Sequence, residues 1–346
     1  MSTWFVTGGL GVIGSKFVEI IINKGDKSII LDAAEEPRNI WIADKLKSKF
    51  KDRVEIITSR LEKEPLDEII KKSDAILHAA AHTGIPHSTD FPSDDWISNV
   101  DATRLLLESI RKTKPNTPTI MLSSVKPYKT DHIKCKPGKS RMIWNDNFNG
   151  IDESVILEPD EPYAASKMAQ SALGMAYGRT YNIPVTVLRC SNLYGDAPCH
   201  GPRHGWLTWF CISAALDWHI ELQGSGVQTR DMLFSNDVAS AVLASYENIG
   251  NMKGNVYNIG GGAENTISCI EAIHLLQDIT KKEMKIKTKP SRKNEDLLFL
   301  TNFNKFNSIT NWKPTIGVRK GIEFIYNWAI SNKEDLGKIY AEVKPS

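Results

Sequence analysis

The sequence predicts an α/β protein built on a doubly wound parallel sheet, and three observations predict it. Short apolar runs alternate with amphipathic helical stretches up to about residue 190, the pattern of a parallel sheet covered on both faces. The first run, Trp4-Phe5-Val6-Thr7, leads straight into Gly8-Gly9-Leu10-Gly11-Val12-Ile13-Gly14. The second run, Ser28 to Leu31, ends on an acid, Asp32, 18 residues after Gly14.

Val12 to Asn23 reads as a helix, with apolar residues at 13, 17, 20 and 21. The glycines therefore fall on a strand-to-helix turn. There they permit a tight turn, close approach of backbone to a pyrophosphate, and tight packing of helix on strand. The helix N-terminus adds free N–H groups and a partial positive charge. Gly8, Gly11, Val12, Ile13 and Gly14 are accordingly read as a dinucleotide-binding turn. A carboxylate at Asp32 accepts hydrogen bonds from a ribose 2′-hydroxyl and repels a 2′-phosphate, which favours NAD over NADP. Arg38 lies close by, but the acid-rich run Asp32 to Glu36 argues against a phosphate there.

Further strands are read at Val54 to Ile57, Ala75 to His78, Thr119 to Leu122 and Pro184 to Leu188, with helices over 62–71 and Trp96 to Arg111. Ligands of such a Rossmann-type sheet bind beyond the carboxyl ends of its strands. After residue 192 the texture changes: residues 194–228 are rich in Gly, Trp and His, and 282–300 are basic. We expect a smaller α/β substrate-binding domain there, closing over the strand ends. The expected division gives 1–191 and 228–262 to the NAD-binding domain, 192–227 and 263–332 to the smaller one, and 333–346 to a C-terminal tail. Residues 129–152 form a polar insertion carrying Lys129, Lys134, Lys136, Lys139 and Arg141, expected as a solvated loop.

Composition narrows the partners. The 346 residues carry a net charge of +2, so no global pull toward nucleic acid or a membrane surface is expected. No run approaches transmembrane length, and no leader segment is expected. The five cysteines show no CxxC pairing. They read as free thiols of a cytoplasmic protein and not as a metal site.

The chemistry is read downstream. Pro162 suits a first helical position, which places Tyr163 and Lys167 one turn apart on one helix face. A phenol near pKa 10 is a poor base at neutral pH. An adjacent ammonium and the positive ring of NAD⁺ would bring it down, into a range useful for acid–base work. Ser124, at a strand end, can hold the same substrate oxygen.

Taken in order, Thr7 to Gly14, Asp32, His78-Ala79-Ala80, Asn99-Val100, Ser123-Ser124, Tyr163 with Lys167, Arg189 to Gly195, Gln228-Thr229-Arg230-Asp231, Asn258 to Gly261 and Trp312-Lys313-Pro314 resemble the extended short-chain dehydrogenase/reductase superfamily, the NAD-dependent epimerase/dehydratase group. The resemblance implies that Ser124, Tyr163 and Lys167 are catalytic, with Tyr163 and Lys167 also on the nicotinamide ribose. It implies that Ala79, Ala80, Ala81 and Asn99 line the cofactor, and that Asn192, Arg230 and Arg292 bind the diphosphate of a nucleotide-sugar. Planar, permanently charged guanidinium suits that task.

One branch is most similar, the CDP-tyvelose (CDP-paratose) 2-epimerase-like proteins. The long spacing from Ser124 to Tyr163, Asn149 to Ser154, Gly205 to Cys211, and Lys126 with Tyr128 carry that likeness. It implies a substrate wall at Trp206, substrate contact at Lys126, inversion at C2 of a CDP-linked sugar through a transient keto form, and a homodimer. The chain departs from the family pattern at Pro127-Tyr128-Lys129, at Arg60 and at Ala102. A nucleotide-sugar 4-epimerase, a simple dehydrogenase and a non-catalytic NAD-sensing protein stay open. A 4,6-dehydratase is disfavoured, because Val125-Lys126 stand where that reaction places acids.

Overall fold

The computed structural model describes residues 1–145, 147–291 and 296–343. In chain order its strands are β1 Thr3–Thr7, β2 Lys27–Asp32, β3 Val54–Thr58, β4 Ala75–His78, β5 Thr119–Ser124, β6 Cys135–Pro137, β7 Met142–Trp144, β8 Val185–Cys190, β9 Asn192–Tyr194, β10 Ile220–Gln223, β11 Thr229–Phe234, β12 Val256–Ile259, β13 Thr266–Ser268, β14 Ile286–Lys289 and β15 Leu298–Phe299. Seven of them form one parallel sheet in the order β12-β8-β5-β4-β1-β2-β3. All six strands expected from apolar runs are in it. The seventh, β12, brings the chain back to the sheet beside β8.

Alternation along each strand builds two core layers. Trp4, Val6, Ile30 and Leu77 point to one face, where Phe17, Ile21, Leu46, Val238 and Val242 of the helices Val12–Asn23, Pro37–Phe50 and Ser235–Glu247 cover them. Phe5, Ile29, Ile76 and Val187 point to the other, against Ile69, Leu106 and Ile110 of the helices Leu66–Lys71 and Ala102–Thr113, with Leu173 of Pro162–Thr180 packed on the same layer. Since both faces are covered, β4 and β8 are buried at every residue. Strand order reverses direction about β1, with β2 on one side and β4 on the other, and the crevice opens at the ends of β1 and β4.

Two expected helices differ in detail. The stretch 62–71 is a short 3₁₀ turn, Leu61–Lys63, and then the helix Leu66–Lys71; Pro65 between them cannot continue a helix. The stretch from Trp96 begins as a π-helical turn, Trp96–Asp101, and tightens to α from Ala102 to Thr113.

Beyond the sheet, β13-β11-β15 with β9 alongside β11 and the pair β10-β14 pack with the helices Trp206–Leu216, Cys269–Thr280, Val318–Ser331 and Lys333–Ile339. Trp209, Phe210, Ile212, Phe234, Leu276, Ile322 and Leu336 form their shared core. The insertion is not simply solvated. Its lysines 134, 136 and 139 are exposed, but β6 and β7 form a hairpin docked beside β11, with Met142 packed against Val227 and Leu298. Met142 N donates to Val227 O and Thr229 Oγ1 at 3.0 Å each, and Arg141 grips Glu271 through two bonds of 2.7 Å. Fully buried Met142 and Ile151 explain the docking: an apolar side chain gains by leaving water wherever a wall is offered.

Candidate active site

One cavity of about 620 Å³ opens at the strand ends. Its first wall is the glycine turn. Gly8 has φ +70°, and a Cβ there would lie 2.6 Å from Ala80 N. A Cβ on Gly14 would lie 2.2 Å from Gly8 O. The turn is therefore bare backbone, and the helix it opens has no side-chain cap, so its first N–H groups remain for a ligand. Gly8, Gly11, Val12, Ile13 and Gly14 all line the cavity, and Ala79, Ala80 and Ala81 form the facing wall. These features fit a pyrophosphate.

Asp32, at the end of β2, accepts from Leu10 N at 2.9 Å and Ala34 N at 3.1 Å. Burial raises its carboxyl above the usual range, opposed by these two bonds. Beside it lies a group the sequence reading underrated. Arg38 is only 5% exposed, bonds Glu36 at 2.8 Å, and sits 3.0 Å from the ring nitrogens of His200. Glu36 is held far below the usual carboxylate range, first by His200 and then by Arg38. The acid-rich run therefore neutralises Arg38, in keeping with an unphosphorylated ribose at Asp32.

The predicted reacting set converges. Ser124 ends β5, Tyr163 opens the helix after Pro162, and both line the cavity. Burial pushes the phenol above its ordinary value, and the nearby Ser124 side chain opposes this. Lys167 is 3% exposed, and burial brings its ammonium down to about 8. Its Nζ donates to Leu122 O at 3.2 Å and Gln170 Oε1 at 2.5 Å.

A buried polar chain continues from there. Gln170 Nε2 donates to Thr103 Oγ1 at 3.2 Å, and Thr103 Oγ1 donates to Asn99 O at 2.7 Å. His78 Nε2 lies 2.8 Å from Thr103 Oγ1, and its Nδ1 lies 2.7 Å from Thr7 Oγ1, which also accepts from Ala80 N. Thr103 Oγ1 spends its one hydrogen on Asn99 O, so it accepts from both Gln170 and His78. His78 is therefore protonated at Nε2 and, when neutral, accepts from Thr7 Oγ1 at Nδ1. The chain links Lys167 to the glycine turn. Gln170 follows Lys167 by three residues, so helical spacing alone could have flagged it. His78 stood in the His78-Ala79-Ala80 run already singled out at the end of β4, whereas Thr103 carried no such signal.

Of the remaining predicted residues, Lys126, Asn192, Trp206 and Arg230 line the cavity. Lys126 Nζ is 2.9 Å from Asp296 Oδ2. Arg230 donates to Thr229 O and to Asp296 O. Asn99 does not reach the cavity. It is fully buried behind the wall, where its side chain clamps His82 N and O and donates to Ser166 Oγ. Arg292 lies outside the described residues. Among the described residues no group of His, Cys, Asp or Glu is placed to hold a metal ion, and no helix is long and apolar enough to cross a membrane.

A sheet with a switch-point crevice, a glycine cradle, an acid at the second strand end and a Ser/Tyr/Lys set define an NAD-dependent enzyme. Residues 4–260 match the family model described as the NAD dependent epimerase/dehydratase family, and the chain belongs to that family. NAD is its cofactor, and its class is the nucleotide-sugar epimerases and dehydratases. The chain is 28% identical to the CDP-paratose 2-epimerase of Salmonella typhi, across 94% of this chain and 98% of that protein. It is 29% identical to a putative UDP-glucose 4-epimerase of Methanocaldococcus jannaschii, across 94% and 98%. In fold it is similar to the UDP-glucuronic acid 4-epimerase of Bacillus cereus, solved with UDP-glucuronic acid and NAD, with a TM-score of 0.80, 23% identity and coverage of 95% and 99%.

Proposed function

We propose that this chain inverts one hydroxyl-bearing carbon of a nucleotide-linked sugar, with Ser124, Tyr163 and Lys167 as the reacting set. The observation that carries the reading is a single cavity lined by the glycine cradle, by all three of these residues and by Lys126, Asn192, Trp206 and Arg230. NAD would be held by Gly8 to Gly14, Asp32 and Ala79 to Ala81. When bound it supplies a reversible hydride acceptor, so a carbinol carbon can invert through a transient ketone.

The chain's own residues manage the proton. Tyr163 takes it from the sugar hydroxyl and gives it back, and Ser124 holds that oxygen in reach of the phenol. The phenol resists ionisation because it is buried, so a neighbouring positive charge has to favour the phenolate. Lys167 is the side chain one turn away that can supply it. Gln170 and the Leu122 carbonyl fix the ammonium. Arg230 and Asn192 are assigned to the diphosphate and Trp206 to a wall against the substrate. Asn99 acts as a support for the His82 segment and not as a cofactor contact.

The likeness to a CDP-paratose 2-epimerase favours C2 of a CDP-linked sugar. Inversion at C4 is the second reading, favoured by the relative described as a UDP-glucose 4-epimerase. Dehydration is disfavoured because Val125 is buried in a small apolar cluster and Lys126 is paired with Asp296. No disulfide forms among the described residues, which suits the cytoplasm. Exposed Phe91, Trp96, Ile97 and Tyr181 on the outer helical layer suit a homodimer face. The test is incubation of the NAD-loaded protein with CDP-, UDP-, GDP- and dTDP-sugars, read by NMR. One sugar should invert at one carbon, and Tyr163→Phe should abolish this by about a thousandfold or more. Nicotinamide reduced in step with substrate would mark a dehydrogenase, and an untouched panel would mark a sensor.

A further inference from the structure

Glu161 stands two residues before Tyr163, and Lys126 two after Ser124, and all four line the cavity. Whatever sugar carbon reaches Ser124 and Tyr163 therefore has these two side chains for neighbours. Lys126 is already matched, 2.9 Å from Asp296 and 3.9 Å from Glu161 Oε1. Arg230 is committed to two backbone carbonyls, Thr229 O and Asp296 O. Glu161 has only that distant charge, with no hydrogen bond to its Oε1, which is buried although the side chain keeps 14% of its surface open.

A buried carboxyl oxygen without a donor is costly, and at a binding wall the donor comes from the ligand. A sugar hydroxyl serves whether Glu161 is ionised or protonated, because a hydroxyl both donates and accepts. A ligand carboxylate serves only while Glu161 is protonated, since two carboxylates in one dry site repel. The charges facing Glu161 are Lys126 on the loop after β5, Asp296 before β15, Asp95 ahead of the π turn, Asp160 on its own loop and the Tyr163 phenol. Acids outnumber cations there. Burial raises Glu161 to about 7, Lys126 opposes, and Asp160, Asp296 and Asp95 reinforce.

Resting on the nucleotide-sugar reading above, we propose that Glu161 is a specificity-determining residue that admits a neutral hydroxylated sugar and rejects a uronate. Calorimetric titration of the NAD-loaded protein tests it, with glucose and glucuronate each carried on UDP and on CDP, at pH 6 and pH 8. On whichever nucleotide binds, the neutral sugar should bind at least tenfold tighter than the uronate at pH 8. That preference should shrink severalfold at pH 6, where Glu161 is mostly protonated. Glu161→Gln should leave an equally small preference at both pH values. A uronate that binds as well as the neutral sugar at both pH values overturns the proposal, and so does a preference that neither pH nor the variant changes. If none of the four binds while NAD does, and the same sugars on GDP and dTDP fail as well, the nucleotide-sugar reading itself falls and takes this proposal with it. The wild-type pH comparison decides the matter even if the variant folds poorly.

Discussion

Acid should loosen this fold through one buried imidazole. His78 ends β4 and is fully buried, with both ring nitrogens engaged by Thr7 and Thr103. Burial, with the charge of Lys167 adding to it, holds its pKa down at about 3 against an ordinary 6.5. An unfolded chain takes up the proton near 6.5, whereas the folded chain refuses it until about pH 3. The sign follows: between those values the unfolded state binds more protons, so stability falls as pH falls. Each unit is worth about 1.4 kcal/mol, so two units, from pH 6.5 to 4.5, remove roughly 3 kcal/mol, a large part of a typical domain's margin. Urea unfolding of the wild type and of His78→Gln across this range isolates the effect, since titrating carboxylates cancel in the difference. The stability gap between the two proteins should narrow by roughly 3 kcal/mol as pH drops to 4.5. A gap that stays constant with pH would refute a neutral His78 held between Thr7 and Thr103.

Three further outcomes follow from the geometry. Gly14→Ala forces a methyl to 2.2 Å from Gly8 O, so NAD affinity should fall more than tenfold by fluorescence titration, with destabilisation of about 1–3 kcal/mol. Gln170→Leu removes the acceptor 2.5 Å from Lys167 Nζ. The charged lysine, already brought down to about 8, loses support, so the basic limb of the kcat pH profile should move to lower pH. Arg141→Ala removes the grip on Glu271. Because the pair is partly exposed, the cost should be only about 1 kcal/mol, but proteolytic nicking within 129–152 should become faster.

What was legible in the sequence was whatever depends on neighbours along the chain. Six strands, the glycine turn and the Tyr163/Lys167 spacing are local signals, and each was readable from periodicity or a short motif. What escaped depends on contacts between distant segments. Nothing near His200 announces that it meets Arg38 and Glu36, 162 and 164 positions away. Asp296 sits in a basic stretch, and only the folded chain sets it beside Lys126. The polar tally of 129–152 concealed Met142 and Ile151, two apolar residues with a wall to meet. The phenol was expected to be eased toward ionisation by Lys167. Folding buried both groups, which pushes Tyr163 up and Lys167 down, since a dry site disfavours each charge.

The central claim is that inversion occurs by removal and return of the same hydrogen at one sugar carbon. The direct measurement uses CDP-paratose deuterated at C2 and UDP-glucose deuterated at C4, each incubated in ordinary water with the NAD-loaded protein and followed by NMR. The account predicts an inverted product from one of them, with its deuterium still on the inverted carbon. An inverted product carrying hydrogen from water, or a product that has lost water from the sugar, would contradict it.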